Sequence, residues 1–161
     1  MAPARHAMRT TRSRQSPTES LARRRISTAR TQSKQERPLT VQLKRAYDPP
    51  SPADGARVLV DRVWPRGVRR AAMGIDAWLP DLGPTVQLRQ WFGHDPRRWA
   101  EFRRRYRQEL AAKRPLLERL VGYARHGRLT LVFSARDAAH NQAVVIKEML
   151  GRRGKAAELA P

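Results

Sequence analysis

The stretch RLTLVFSARDAAHNQAVVIKEML, residues 128–150, decides the fold class. RLTLVFSA (128–135) is an apolar run short enough for a buried strand, and it passes straight into a helical segment (136–153) with Asp137 placed as N-cap. Buried strands feeding helices belong to α/β sheets that are at least partly parallel. ARVLVDRV (56–63) reads as a second strand, apolar enough to be central. LTVQLKRAY (39–47), with Leu39, Val41, Leu43 and Arg45 alternating against polar positions, reads as a half-buried first strand. Between them YDPPSPADG (47–55) is dense in Pro, Asp and Gly and must be a loop, too short for a parallel crossover. The first two strands are therefore antiparallel or not neighbours.

Four helical segments, and no further strand, are expected between Gly67 and Leu129. They are GIDAWLPDLG (74–83), PTVQLRQWFG (84–93) with Thr85 as a possible cap, the segment 96–114, and one from Pro115 to Gly127. In the third, Asp95 caps, Pro96 suits the first helical position, and Trp99, Phe102, Tyr106 and Leu110 share one face. Arg103, Arg104, Arg105 and Arg107 fall mostly off that face. The expected architecture is a single α/β domain (39–151) whose small sheet of three or more strands is flanked by about five helices. A disordered basic tail (1–38) precedes it and a frayed C-terminus (152–161) follows.

The chain has 34 basic and 14 acidic residues, a net charge of +20. About +8 of that sits in residues 1–38, which hold scarcely any large apolar residue and cannot offset their own ordering entropy. Such a charge attracts polyanions without specificity. With no cysteine, disulfides, thiolate zinc sites and a cysteine nucleophile are excluded, and the composition suits a reducing cytoplasm. No apolar run is long enough for a membrane helix, and the N-terminus lacks the apolar core of a secretion signal. GxGxxG, GxxxxGK[ST] and GxSxG are all missing, against dinucleotide, Walker-type and serine-hydrolase chemistry.

Strands two and three both end in charged residues. In α/β sheets ligands sit outside the carboxyl ends of the strands, often against helix N-termini that favour anions. Asp61, Arg62, Trp64 and Arg66 lie at one strand end, and Ser134, Arg136, Asp137, His140 and Asn141 at the other. If the strands are parallel neighbours, these groups share one crevice suited to a phosphate- or carboxylate-bearing ligand. Arg62, Arg66 and Arg136 would then grip the anion, Ser134 would donate a hydrogen bond, and Trp64 would form a wall. Asp61, His140 or Asp137 would move protons if the site is catalytic, and His94, beside the capping Asp95, is a further ligand-binding candidate. The same charges serve equally well as ion pairs, Asp61 with Arg136 or Arg62 with Asp137, and Trp64-Pro65 as a packed corner. No metal motif occurs and no cofactor is indicated. The rival function is non-enzymatic nucleic-acid binding through the basic tail and the arginine-rich third helix.

KRAYDPPSPADGARVLVDRVWPRG, DAWLPDLGPTVQLRQWFGHDP, W-x-x-F-x-x-R-Y, LTLVFSARD and HNQAVVIKEML occur in that order between about Leu39 and Leu150. Together they resemble the YeaO-like group of the domain of unknown function 488 family. The resemblance implies an Asp-x-Arg-type strand end followed by proline, here Asp61, Arg62 and Pro65. Many members of the wider family carry a Cys-His-Arg run near the last strand and helix. This chain has Phe133-Ser134-Ala135-Arg136-Asp137 and His140-Asn141-Gln142-Ala143 there, so thiol chemistry is not carried over.

Overall fold

A computed structural model describes residues 38–158, with side chains through Gly154. Apart from Pro38, the tail expected to be disordered lies outside the described residues. Four strands, β1 (Val41–Arg45), β2 (Ala56–Leu59), β3 (Ala77–Trp78) and β4 (Leu129–Phe133), form one sheet in the order β1-β4-β2-β3. Every pairing is parallel. β1 and β2 are not neighbours, because the short link between them cannot make a parallel crossover, and β4 sits between them. β4 is buried throughout, which accounts for its Leu-Thr-Leu-Val-Phe composition.

Five α-helices are present among the described residues: α1 (Arg70–Met73), α2 (Val86–Phe92), α3 (Trp99–Ala111), α4 (Arg114–His126) and α5 (Gln142–Glu158). Thr85 caps α2 by accepting from the Leu88 amide, and Gly93 ends it in the left-handed conformation. Asp95 caps a 3-10 turn at Pro96–Arg98 that leads into α3. Leu129, Leu131, Phe133 and Val58 point from one face of the sheet into a core shared with α2, α3, α4 and α5. The opposite face is covered more thinly, with Leu59 and Val132 packing on Met73, Ala46, Trp64 and Trp78.

The elements depart from expectation in several places, beginning with α1, where no helix was expected. GIDAWLPDLG is not a helix. It supplies β3 and a 3-10 turn at Pro80–Leu82, because Leu79 precedes a proline and its amide donates to the Leu59 carbonyl at 2.9 Å. β2 stops at Leu59 rather than Val63, since Asp61 turns its side chain across to β4. The last helix begins at Gln142, six residues late, so His140 and Asn141 precede it rather than forming its first turn. Asn141 is its cap, accepting from Ala143 and Val144, while Asp137 closes the preceding turn through the Ala139 and His140 amides. α5 runs on to Glu158, through most of the segment expected to fray.

A buried polar cluster lies under the thinner layer. Asp54 accepts from Arg57 at 2.5 Å, Lys44 at 3.1 Å and Gln42 at 3.2 Å. Burial opposes its charge, but the Ser51 amide and the two cations outweigh that and hold its carboxyl below the usual range. No helix among the described residues is long and apolar enough to cross a membrane.

Candidate functional site

β2 and β4 are parallel neighbours, so the residues after them emerge side by side at the carboxyl edge of the sheet. Asp61 is only 6% exposed. Its carboxylate accepts from the Ser134 amide at 2.9 Å, from the Ser134 hydroxyl and from the Gln142 side-chain amide. Its carbonyl accepts from the Trp78 indole at 2.8 Å. Burial pushes the Asp61 carboxyl up. The Ser134 and Gln142 hydrogen bonds and the charge of Arg89 pull the other way without cancelling the burial. The two strand ends, neighbours in the sheet, therefore meet through a closed lock in which Ser134 donates to Asp61. Among the described residues, neither Arg136 nor any other cation is hydrogen-bonded to this carboxylate.

Arg62 leaves the strand end. Its guanidinium donates to the carbonyls of Pro84 at 3.0 Å and Gly83 at 2.9 Å, with the exposed Asp81 at 3.8 Å. Lys113 also reaches the Gly83 carbonyl, at 3.1 Å. Arg62 is thus a clamp on the loop before α2, not an open anion ligand, and it pairs with Asp81 rather than Asp137. Trp64 is a packed corner: its indole donates to the Val68 carbonyl at 2.7 Å and its ring meets Trp78 edge-on at 5.4 Å. His94 occupies an exposed turn with φ 57 and rests against Phe92. His140 holds Asp137 at 2.7 Å through Nδ1 and meets Trp99 edge-on, with no direct contact to Asp61. Asn141 spends its side chain on the α5 cap and on the Asp137 carbonyl. Among the described residues no three His, Asp or Glu side chains are grouped to hold a metal.

Arg66 and Arg136 remain exposed and have no carboxylate partner among the described residues. Two residues not singled out from sequence reach the backbone of Arg66 and of Ala135, the residue before Arg136. Arg45, the last residue of β1, donates from Nε to the Ala135 carbonyl at 3.2 Å and lays its guanidinium over Tyr47, 5.2 Å from the ring centroid. Tyr47, 50% exposed, donates its hydroxyl to the Arg66 carbonyl at 3.2 Å. These contacts join Ala135, Arg45, Tyr47 and Arg66 into one continuous rim, and Arg136 follows Ala135 in the chain. The signal lay in KRAY (44–47), visible only once β1 is known to pair with β4.

The arginines of α3 differ. Arg103 and Arg107 both grip Glu148 of α5, at 2.8 and 2.5 Å, and Arg104 and Arg105 both grip Glu101. Those two arginines hold the Glu101 carboxyl down to about 2.

The chain matches the family model described as the inactive DUF488-N3 subclade over residues 40–160. It is 38% identical over 112 residues to the uncharacterized protein YeaO of Escherichia coli, covering 70% of this chain and 97% of that protein. It is 37% identical over 115 residues to uncharacterized proteins of Mycobacterium tuberculosis and Mycobacterium bovis, covering 70% of this chain and 95% of each relative. No solved structure is matched. With a family model spanning nearly all of the described residues and relatives matched along almost their whole length, the chain belongs to the YeaO-like group of the domain of unknown function 488 family, in its inactive N3 subclade.

Proposed function

We propose that this domain is a non-catalytic, cytoplasmic binding module for a phosphate- or carboxylate-bearing ligand, a nucleotide or nucleic-acid end included. The ligand sits on the rim at the carboxyl edge of β1 and β4. The observation that carries this is the run of contacts from Ala135 through Arg45 and Tyr47 to Arg66, with Arg136 next in sequence to Ala135. None of these three arginines is ion-paired with a carboxylate among the described residues, while the Asp48 carboxylate at the same edge accepts from the Arg45 backbone amide at 3.3 Å. Arginine forks grip such anions bidentately, and the free face of Tyr47 offers an aromatic surface beside them. The location is where α/β sheets usually bind ligands. Binding rather than turnover is supported by Asp61, which is buried and whose carboxylate is taken up by Ser134 and Gln142. The family's own description as inactive points the same way. The absence of cysteine suits a reducing compartment.

Calorimetric titration of the full chain with inorganic phosphate and with ATP tests the proposal. Losing one charge-assisted hydrogen bond costs about 1.5–3 kcal/mol, so Arg66→Ala and Arg136→Ala should each weaken binding by about tenfold or more. Unchanged affinity in both variants rejects the site.

A further inference from the structure

The structure holds a cavity at the other end of the sheet. We infer that it is a separate small-molecule site for an amphipathic anion, an apolar chain or ring ending in one carboxylate or phosphate. The cavity has a volume of about 500 Å³ and lies between the last turns of α4 and the start of β2. That volume is in the range of ordinary ligand pockets, about 300–1,000 Å³. β2 and β4 are four and five residues long, so roughly 15 Å of sheet separates this cavity from the Tyr47 rim.

Its walls are apolar and small: Ala56, Gly122, Gly127 and the ring of Tyr123. Gly122 lies inside α4, where glycine costs about 1 kcal/mol relative to alanine. Packing does not require it, because a Cβ built there meets nothing within 4 Å. What the missing side chain does is leave the cavity open. Gly55 is glycine for the opposite reason. It has φ 65, and a Cβ there would stand 2.1 Å from the Arg128 carbonyl oxygen.

That close approach fixes the wall. The Ala56 amide donates to the Arg128 carbonyl at 2.9 Å, and the Arg128 guanidinium donates back to the Ala53 carbonyl at 3.0 Å. A cavity whose shape is set by the backbone needs little ordering when it binds. Its charge is one-sided. Arg119 and Arg128 line it and no acidic residue does, while Arg119 has no carboxylate partner among the described residues. An apolar floor under two arginines is complementary to an apolar body with an anionic head.

The test uses the full chain with decanoate, decyl phosphate, decanol and acetate, read by calorimetry and by amide NMR. Saturable binding of decanoate or decyl phosphate is expected, with shifts centred on Gly55, Gly122 and Gly127. Acetate and decanol should bind at least about tenfold more weakly. Gly122→Leu fills the cavity and should abolish binding while the melting temperature holds or rises. Arg119→Gln should weaken binding severalfold, and Arg136→Ala should leave it unchanged. The inference is overturned if neither amphiphile binds, if decanol binds as well as decanoate, if Gly122→Leu binds as well as the parent, or if the shifts spread over the basic surface.

Discussion

The Asp61 carboxylate and the Ser134 backbone amide meet at 2.9 Å, and this hydrogen bond joins the carboxyl ends of β2 and β4 across 73 positions of sequence. A carboxylate so enclosed is the bolt of the sheet edge. Gln142, the first residue of α5, closes on the same carboxylate, so one side chain registers two strands and a helix.

Asp61 sets a pH dependence. Burial raises its carboxyl above the 3.8 of a free aspartate, so the folded chain binds this proton more tightly than the unfolded chain. The stability this adds is complete below the unfolded value and is lost as pH rises through the raised folded value. Asp61→Asn keeps the shape and cannot ionise. Urea denaturation across the acidic range, from below the free-aspartate value upward, should therefore show the wild type losing ground steadily against Asp61→Asn. A gap moving the other way would mean that the site prefers the ionised form.

Arg62 and Gly83 form the second lock. Arg62→Ala removes two charge-assisted bonds to loop carbonyls and should cost about 2 kcal/mol in denaturant titrations. Gly83→Ala should cost at least as much, because its Cβ would stand 2.8 Å from the Arg62 Cβ and 2.9 Å from the Arg62 backbone nitrogen. Neither variant should change phosphate affinity in the folded fraction. An Arg62→Ala protein of normal stability that no longer binds phosphate would return Arg62 to the binding site.

Two of these outcomes bear on what the sequence made legible. That β2 and β4 are buried followed from their apolar runs; that their polar ends converge depended on the two strands being parallel neighbours, which the sequence left open and the sheet order supplies. Where Arg62 points did not follow, because a long side chain can reach carbonyls of a loop that is distant in sequence. β3, at two residues, is too short to show any alternation, and Trp78 gave no sign of donating to the Asp61 carbonyl. Tyr47 read as the first residue of a loop, and its place beside Arg66 depends on a strand order that no local pattern encodes.

Removing residues 1–38 separates the specific site from general attraction to polyanions. The truncated protein should keep an essentially unaltered affinity for small phosphates, since every rim residue lies beyond the cut. Its affinity for duplex DNA should fall, and the salt dependence should flatten by about 0.9 in log–log slope for each phosphate that the tail no longer neutralises. If phosphate binding disappears with the tail, the rim is not the site.

The most direct test of the rim is an amide NMR titration of the full chain with inorganic phosphate. The largest shifts should fall on Arg45, Tyr47, Arg66 and Ser134–Arg136, and they should vanish in the Arg66→Ala, Arg136→Ala double variant while its melting temperature stays near that of the parent. Shifts concentrated on α3, or a full response retained by the double variant, would contradict binding at the strand ends.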